Sequence, residues 1–174
     1  MPRFALNPGG SDYPDARRGT ADLQKEKFMS ALGLKILDKS VQDTNIWLDE
    51  LMGRLDWDDK QRAYRLLRST LHVLRDRLQM NEAVHLAAQL PTLIRGIYYE
   101  GWRPNRSPTR HKHELNFIAA IEAAFVEDPN EDPGVTARAA LAVVADHVSE
   151  GEIDDVKSGL PPEIKALWPE MNVS

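Results

Sequence analysis

Apolar residues recur along this chain with the period of one face of a helix. Trp47, Leu48, Leu51, Met52 and Leu55 follow spacings of one, three and four, which predicts an amphipathic helix opening at Asp43 or Thr44. Ala63, Leu67, Leu71, Leu74 and Leu78 continue the pattern in a longer helix, with Asp58 and Asp59 as caps. A short helix containing Ala83, Val84 and Leu86 is expected to open at Asn81. Pro91 falls in the first turn of the next helix, where its missing N–H has no intrahelical partner to lose. That helix runs to about Tyr99 and Gly101 ends it. Upstream, Leu23, Phe28, Leu32 and Ile36 predict a separate N-terminal helix from a Thr20 cap to about residue 38.

Residues 102–111, WRPNRSPTRH, have no helical period. Beyond them the stripes restart with Phe117, Ile118, Ile121 and Phe125. Asp132 then caps and Pro133 opens a helix carrying Val135, Leu141, Val144 and Val148. Gly151 is expected to break it, Ile153 and Val156 mark a short helix, and Pro161 opens the last one.

The two accounts superimpose without a gap at an offset of 70 residues. Trp47 falls on Phe117, Leu51 on Ile121, Leu71 on Leu141, Ile94 on Ile164 and Tyr98 on Trp168. LPTLIRGIY at 90–98 meets LPPEIKALW at 160–168. Because the matches fall on buried stripes, they predict two copies of one packing unit. Asp58 with Asp128, Arg68 with Arg138, Asp76 with Asp146 and Glu82 with Glu152 also recur. Capping, helix-end electrostatics and ion pairing account for such charges. The basic pair Arg95 and Lys165 is left without a packing role.

The predicted fold is all-α. It comprises a flexible arm over 1–19, a helix over 20–40, one helical repeat over 41–101, a linker over 102–112 and a second repeat over 113–170. The two repeats are expected to form one bundle. From Trp47 to Trp102 the chain, with its RLLRSTLHVLRDRL run and its IRGIYYEGW ending, resembles the first half of the DUF2267 family. The part closing on GLPPEIKALWP resembles that family's second repeat, so the likeness covers about residues 43–169. It implies a prokaryotic, all-helical protein, and it carries over no catalytic residue because the family has no assigned activity.

Composition narrows the chemistry. The 174 residues include no cysteine, which excludes disulfides, thiolate catalysis and zinc–thiolate sites and fits a cytoplasmic setting. A net charge of −5 argues against nucleic acid as the partner. No apolar run has the length of a membrane span. The opening residues predict neither a signal peptide nor a twin-arginine leader.

Candidate sites are sparse. His111 and His113 sit two apart in the linker without further histidine ligands. His72 and Asp76 are four apart on a helix and read as a surface pair. At the offset of 70, His72 meets Ala142 and His85 meets Asp155, so no histidine site is duplicated. EDPNED at 127–132 lacks the glycine and distal glutamate of a calcium loop, and it reads as a capping turn. Neither a phosphate-binding glycine loop nor a nucleophile elbow occurs. The sequence therefore points to no catalytic residue, no metal and no cofactor. The leading expectation is a non-enzymatic interaction or scaffold protein that binds a protein partner or itself. Its candidate surface is Trp57, Trp102, Arg95 and Lys165. A small ligand held in an apolar pocket between the repeats is the alternative, and an unrecognised acid–base site the third reading.

Overall fold

The computed structural model describes residues 34–108 and 114–169. The chain divides into two compact units, Met1–Asp38 and Lys39–Ser174. The expected arm over 1–19, most of the helix over 20–40, and the His111–His113 segment lie outside the described residues. Of the first unit, 34–38 are described, where the N–H groups of Leu37 and Asp38 donate to the Leu34 carbonyl.

Among the described residues the structure is helical throughout. The elements are α1 (Lys35–Leu55), α2 (Lys60–Arg75), α3 (Met80–Gln89) and α4 (Thr92–Tyr99). A 3₁₀ turn over Pro104–Arg106 precedes α5 (Glu114–Glu122), which runs into a second 3₁₀ turn, Ala123–Phe125. Then come α6 (Pro133–His147), α7 (Glu150–Ser158) and α8 (Pro162–Lys165). No described helix is long and apolar enough to cross a membrane.

The sequence predicts a helix ending near residue 38 and a new one capped at Asp43 or Thr44. Instead α1 runs through this stretch unbroken. Neither glycine nor proline interrupts it there. Thr44 turns its hydroxyl back to the Ser40 carbonyl at 2.8 Å and so cannot cap. Lys39 pairs with Asp43 one turn on at 2.7 Å. Asn81 is likewise not a cap: α3 begins at Met80 after Gln79, which makes no side-chain cap bond. Gly151 does not end α6 but lies in the first turn of α7. Val84 and Val135, placed on buried stripes by their spacing, are both exposed.

α2 lies at the centre. It packs against α4, α5, α6 and the Ala123–Phe125 turn, and it buries Leu66, Leu67, Leu71 and Leu74. α3 packs on α7, and α5 on α6 and α8. Five of the eight described helices span fewer than three turns, too short to persist alone in water. Their stability comes from the shared core of Trp47, Leu51, Tyr98, Phe117, Ile121, Phe125 and Leu141.

Where short helices end, side chains from other helices satisfy the loose backbone groups. α4 begins at Pro91, which offers no capping side chain, and the Leu93 N–H donates to the Ser40 hydroxyl of α1 at 2.7 Å. At its other end, His72 Nε2–H donates to the Ile97 carbonyl at 2.7 Å. Buried Arg75 donates to the carbonyls of Tyr98 and Glu100, placing positive charge at the negative end of the helix. Gly101 follows with φ +67°, the left-handed conformation that stops a helix.

Ser40 is thus a cap supplied from another helix, and this explains a buried hydroxyl on α1. Ser40→Ala should cost about 1 kcal/mol, as loss of a cap does. Equilibrium urea denaturation should show a lower midpoint at unchanged slope. An unaltered midpoint would mean that the hydroxyl contributes nothing to holding α4.

Candidate interaction cleft

Two acidic turns face each other across a cleft of about 550 Å³. The first joins α1 to α2. Asp56 takes φ +52° after Leu55, and the Trp57 N–H donates back to the Met52 carbonyl at 3.0 Å. Asp59 caps α2, accepting from the N–H groups of Gln61 at 2.8 Å and Arg62 at 3.1 Å. The second turn joins the Ala123–Phe125 turn to α6. There Asp132 caps the helix by accepting from the Val135 N–H at 3.0 Å, and Pro133 takes the first helical position.

Arg62 crosses from one turn to the other. Its guanidinium pairs with Asp128 and donates to Asn130 Oδ1 at 2.7 Å. It also lies 4.7 Å over the Trp57 ring and 5.6 Å from the centre of Phe125, within cation–π range. Its Nε is buried without a partner. Asn130, itself buried, holds its position by donating to Glu122 from both its side-chain and backbone nitrogens. The frame of the cleft is therefore set from behind by Glu122, Asn130 and Arg62.

The walls carry Asp56, Asp58, Asp59, Asp128, Glu131 and Asp132 against the single cation Arg62, together with Leu55, Trp57, Pro129 and Val135. Asp59 and Asp132 are occupied as caps and Asp128 by Arg62. Asp56, Asp58 and Glu131 are exposed and have no hydrogen-bond or ion-pair partner among the described residues. The volume lies in the range of ligand-holding clefts. Its chemistry suits a positively charged group with an apolar stem. Among the described residues no group of three or more histidine, aspartate or glutamate side chains is arranged to hold a metal ion.

Of the residues singled out in the sequence, Trp57 lines this cleft and is half-buried. Trp102 is elsewhere, stacked on Tyr99 at 5.4 Å with its indole N–H donating to Ser107 at 3.1 Å. Arg95 on α4 and Lys165 on α8 are half-buried, and neither lines the cleft. His72 does not pair with Asp76 as its spacing suggests. Its partner is the Ile97 carbonyl, and Asp76 pairs with Arg75 at 2.9 Å. The EDPNED turn caps a helix as expected and also forms one wall. Arg62 and Asn130 were invisible to spacing arguments. The one signal for the cleft was the pairing of Asp58 with Asp128 at the 70-residue offset.

Comparison with known proteins adds the family. The chain belongs to the DUF2267 family. The match to this family, described as an uncharacterized conserved protein, spans residues 44–167 and so takes in both walls of the cleft. No curated protein matches the chain.

A second polar cluster of this DUF2267 chain lies where α3 packs on α7. Burial raises the Glu152 carboxyl above its ordinary value, the neighbouring Asp155 and Glu82 add to the rise, and His85 opposes it. One Glu152 oxygen is buried without a partner.

Two outcomes test these placements. Arg62→Met keeps the bulk of the side chain but leaves the buried Asn130 oxygen without its donor. It should lower unfolding free energy by about 1–3 kcal/mol and change the native-state tryptophan fluorescence, to which Trp57 contributes, readable together in one denaturation series. His72 is held below its ordinary pKa of 6.5, chiefly by burial. The unfolded chain therefore binds the proton first as pH falls. The stability this contributes is complete above about pH 6.5 and drains away as pH drops through the lower folded value. His72→Gln should flatten that part of the stability–pH curve, and an unchanged slope would refute the assignment.

Proposed function

We propose that this chain is a non-enzymatic protein-interaction module that seats a partner segment in the cleft between residues 55–62 and 128–136. The observation that carries this reading is the set of unpaired carboxylates, Asp56, Asp58 and Glu131, around half-buried Trp57. Free charges beside an aromatic wall suit recognition, because aromatic and charged anchors in a concave site supply affinity and specificity. The frame behind them is pinned by Arg62 and Asn130, so little would need to be ordered on binding. Catalysis has less support, since the cleft's carboxylates are exposed and no base–nucleophile pair lies among them. An apolar ligand pocket also has less support, because acidic side chains line this cleft. The absence of cysteine supports a cytoplasmic setting.

We also infer that the described bundle is a duplicated unit. In support, α3 packs on α7 and α2 on α6, helices that correspond at the offset of 70. Two cross-contacts obey the same offset with partners exchanged. Arg77 lies 5.0 Å over Phe117, and His147 stacks on Trp47 at 4.8 Å. The offset carries position 77 to 147 and position 47 to 117.

Peptide-display selection on the full chain tests the interaction reading. Selected peptides should shift the Trp57 indole resonance. They should also bind at least about tenfold more weakly, or about 1.4 kcal/mol, to an Asp56→Asn, Asp58→Asn, Glu131→Gln variant with unchanged circular dichroism. Selections that yield no cleft-dependent binder would overturn the reading.

A further inference from the structure

The occupant of the cleft can be argued from the chain's own charge distribution. The segment from Gly101 to His113 contains no acidic residue. At its start the Pro104–Arg106 turn is closed by two backbone bonds, from Arg106 N–H to the Arg103 carbonyl at 2.9 Å and from Ser107 N–H to the Pro104 carbonyl at 3.1 Å. Arg106 lies in this turn and Arg103 caps its start, so two cations flank one short turn. Both are exposed, and neither has an ion-pair or hydrogen-bonding side-chain partner among the described residues. The turn stands on a fixed base, because Trp102 is stacked on Tyr99 and bonded to Ser107.

Neither arginine lines the cleft of its own chain. The cleft offers three unpaired carboxylates and an aromatic wall, while the turn offers two exposed, unpaired guanidinium groups. Arg62 already shows within one chain what this cleft does with a guanidinium: it covers one face with Trp57 and pairs its edge with a carboxylate. We propose that the cleft receives the Arg103–Arg106 turn of a second copy of this chain. This rests on the interaction reading above and names its partner. Turn and cleft are different surfaces, so the contact is head-to-tail and builds rings or open chains rather than a closed two-fold dimer. It is small and built on exposed charges, so it should be weak and strongly dependent on salt.

Sedimentation velocity on the full chain tests this. In 50 mM salt the weight-average sedimentation coefficient should rise with protein concentration, and in 500 mM salt the rise should vanish. Arg103→Gln with Arg106→Gln should give a monomer, and so should Asp56→Asn with Asp58→Asn and Glu131→Gln. Circular dichroism would confirm that both variants fold. Mixed together they should form a one-to-one dimer that grows no further, because one keeps its cleft and the other its turn. A mixture that stays monomeric, or variants that associate as the parent does, would overturn the proposal. If the parent stays monomeric while selected peptides still bind the cleft, the second copy is ruled out and the interaction reading stands.

Discussion

The burial of α2 is the constraint on which the rest of this structure depends. A helix of 16 residues that buries Leu66, Leu67, Leu71 and Leu74 must be covered on several sides. The helices available to cover it are short. Each brings backbone groups at its ends that would be costly to bury unpaired. The polar residues of α2 meet that demand. His72 and Arg75 take the carbonyls that end α4, Arg77 takes the Asn116 carbonyl of α5 at 3.1 Å, and Arg62 ties the turn that leads into α6. The apolar face of α2 gathers the bundle, and its basic rim fixes where each neighbour stops.

The cleft follows from the same arrangement. α2 and α6 pack together, and the turns that lead into them are brought side by side. Each turn needs an acidic cap for the exposed N–H groups of its helix, and Asp59 and Asp132 supply them. Capping accounts for those two carboxylates and the Arg62 tie for Asp128. It gives no reason for Asp56, Asp58 and Glu131, which add like charge to a site that is already acidic. Carboxylates that neither cap a helix nor hold the frame are the ones the proposed interaction would use.

Much of the helical framework is legible in the sequence. The stripes of α2, α5 and α6, the Asp59 and Asp132 caps and the Gly101 stop are all written in local chemistry. The continuity of α1 was harder to read. Thr44 has good capping chemistry, but its hydroxyl takes the equally available bond to the Ser40 carbonyl inside a helix. Val135 keeps the spacing of a core residue but faces an opening that only tertiary structure creates. Arg62 and Asn130 are further beyond reach, because their partners are 66 to 68 residues away. Spacing rules describe neighbours on one helix and say nothing about a guanidinium that spans two turns.

The duplication we infer sharpens where function should be sought. Two copies of one unit that pack on each other tend to keep the residues that hold both, and the exchanged pairs Arg77–Phe117 and Trp47–His147 have that character. The cleft behaves differently. At the offset of 70, Asp58 meets Asp128, but Trp57 meets Glu127, Asp56 meets Val126, Arg62 meets Asp132 and Gln61 meets Glu131. One wall brings the aromatic face and the arginine, and the other brings the groups that bind it. On the inferred duplication, the exchanged core pairs follow the 70-residue offset, while the residues of the cleft mouth do not. Packing alone gives no reason for equivalent turns to diverge in complementary directions. The occupant proposed for the cleft would give one, since it presents a different side to each wall.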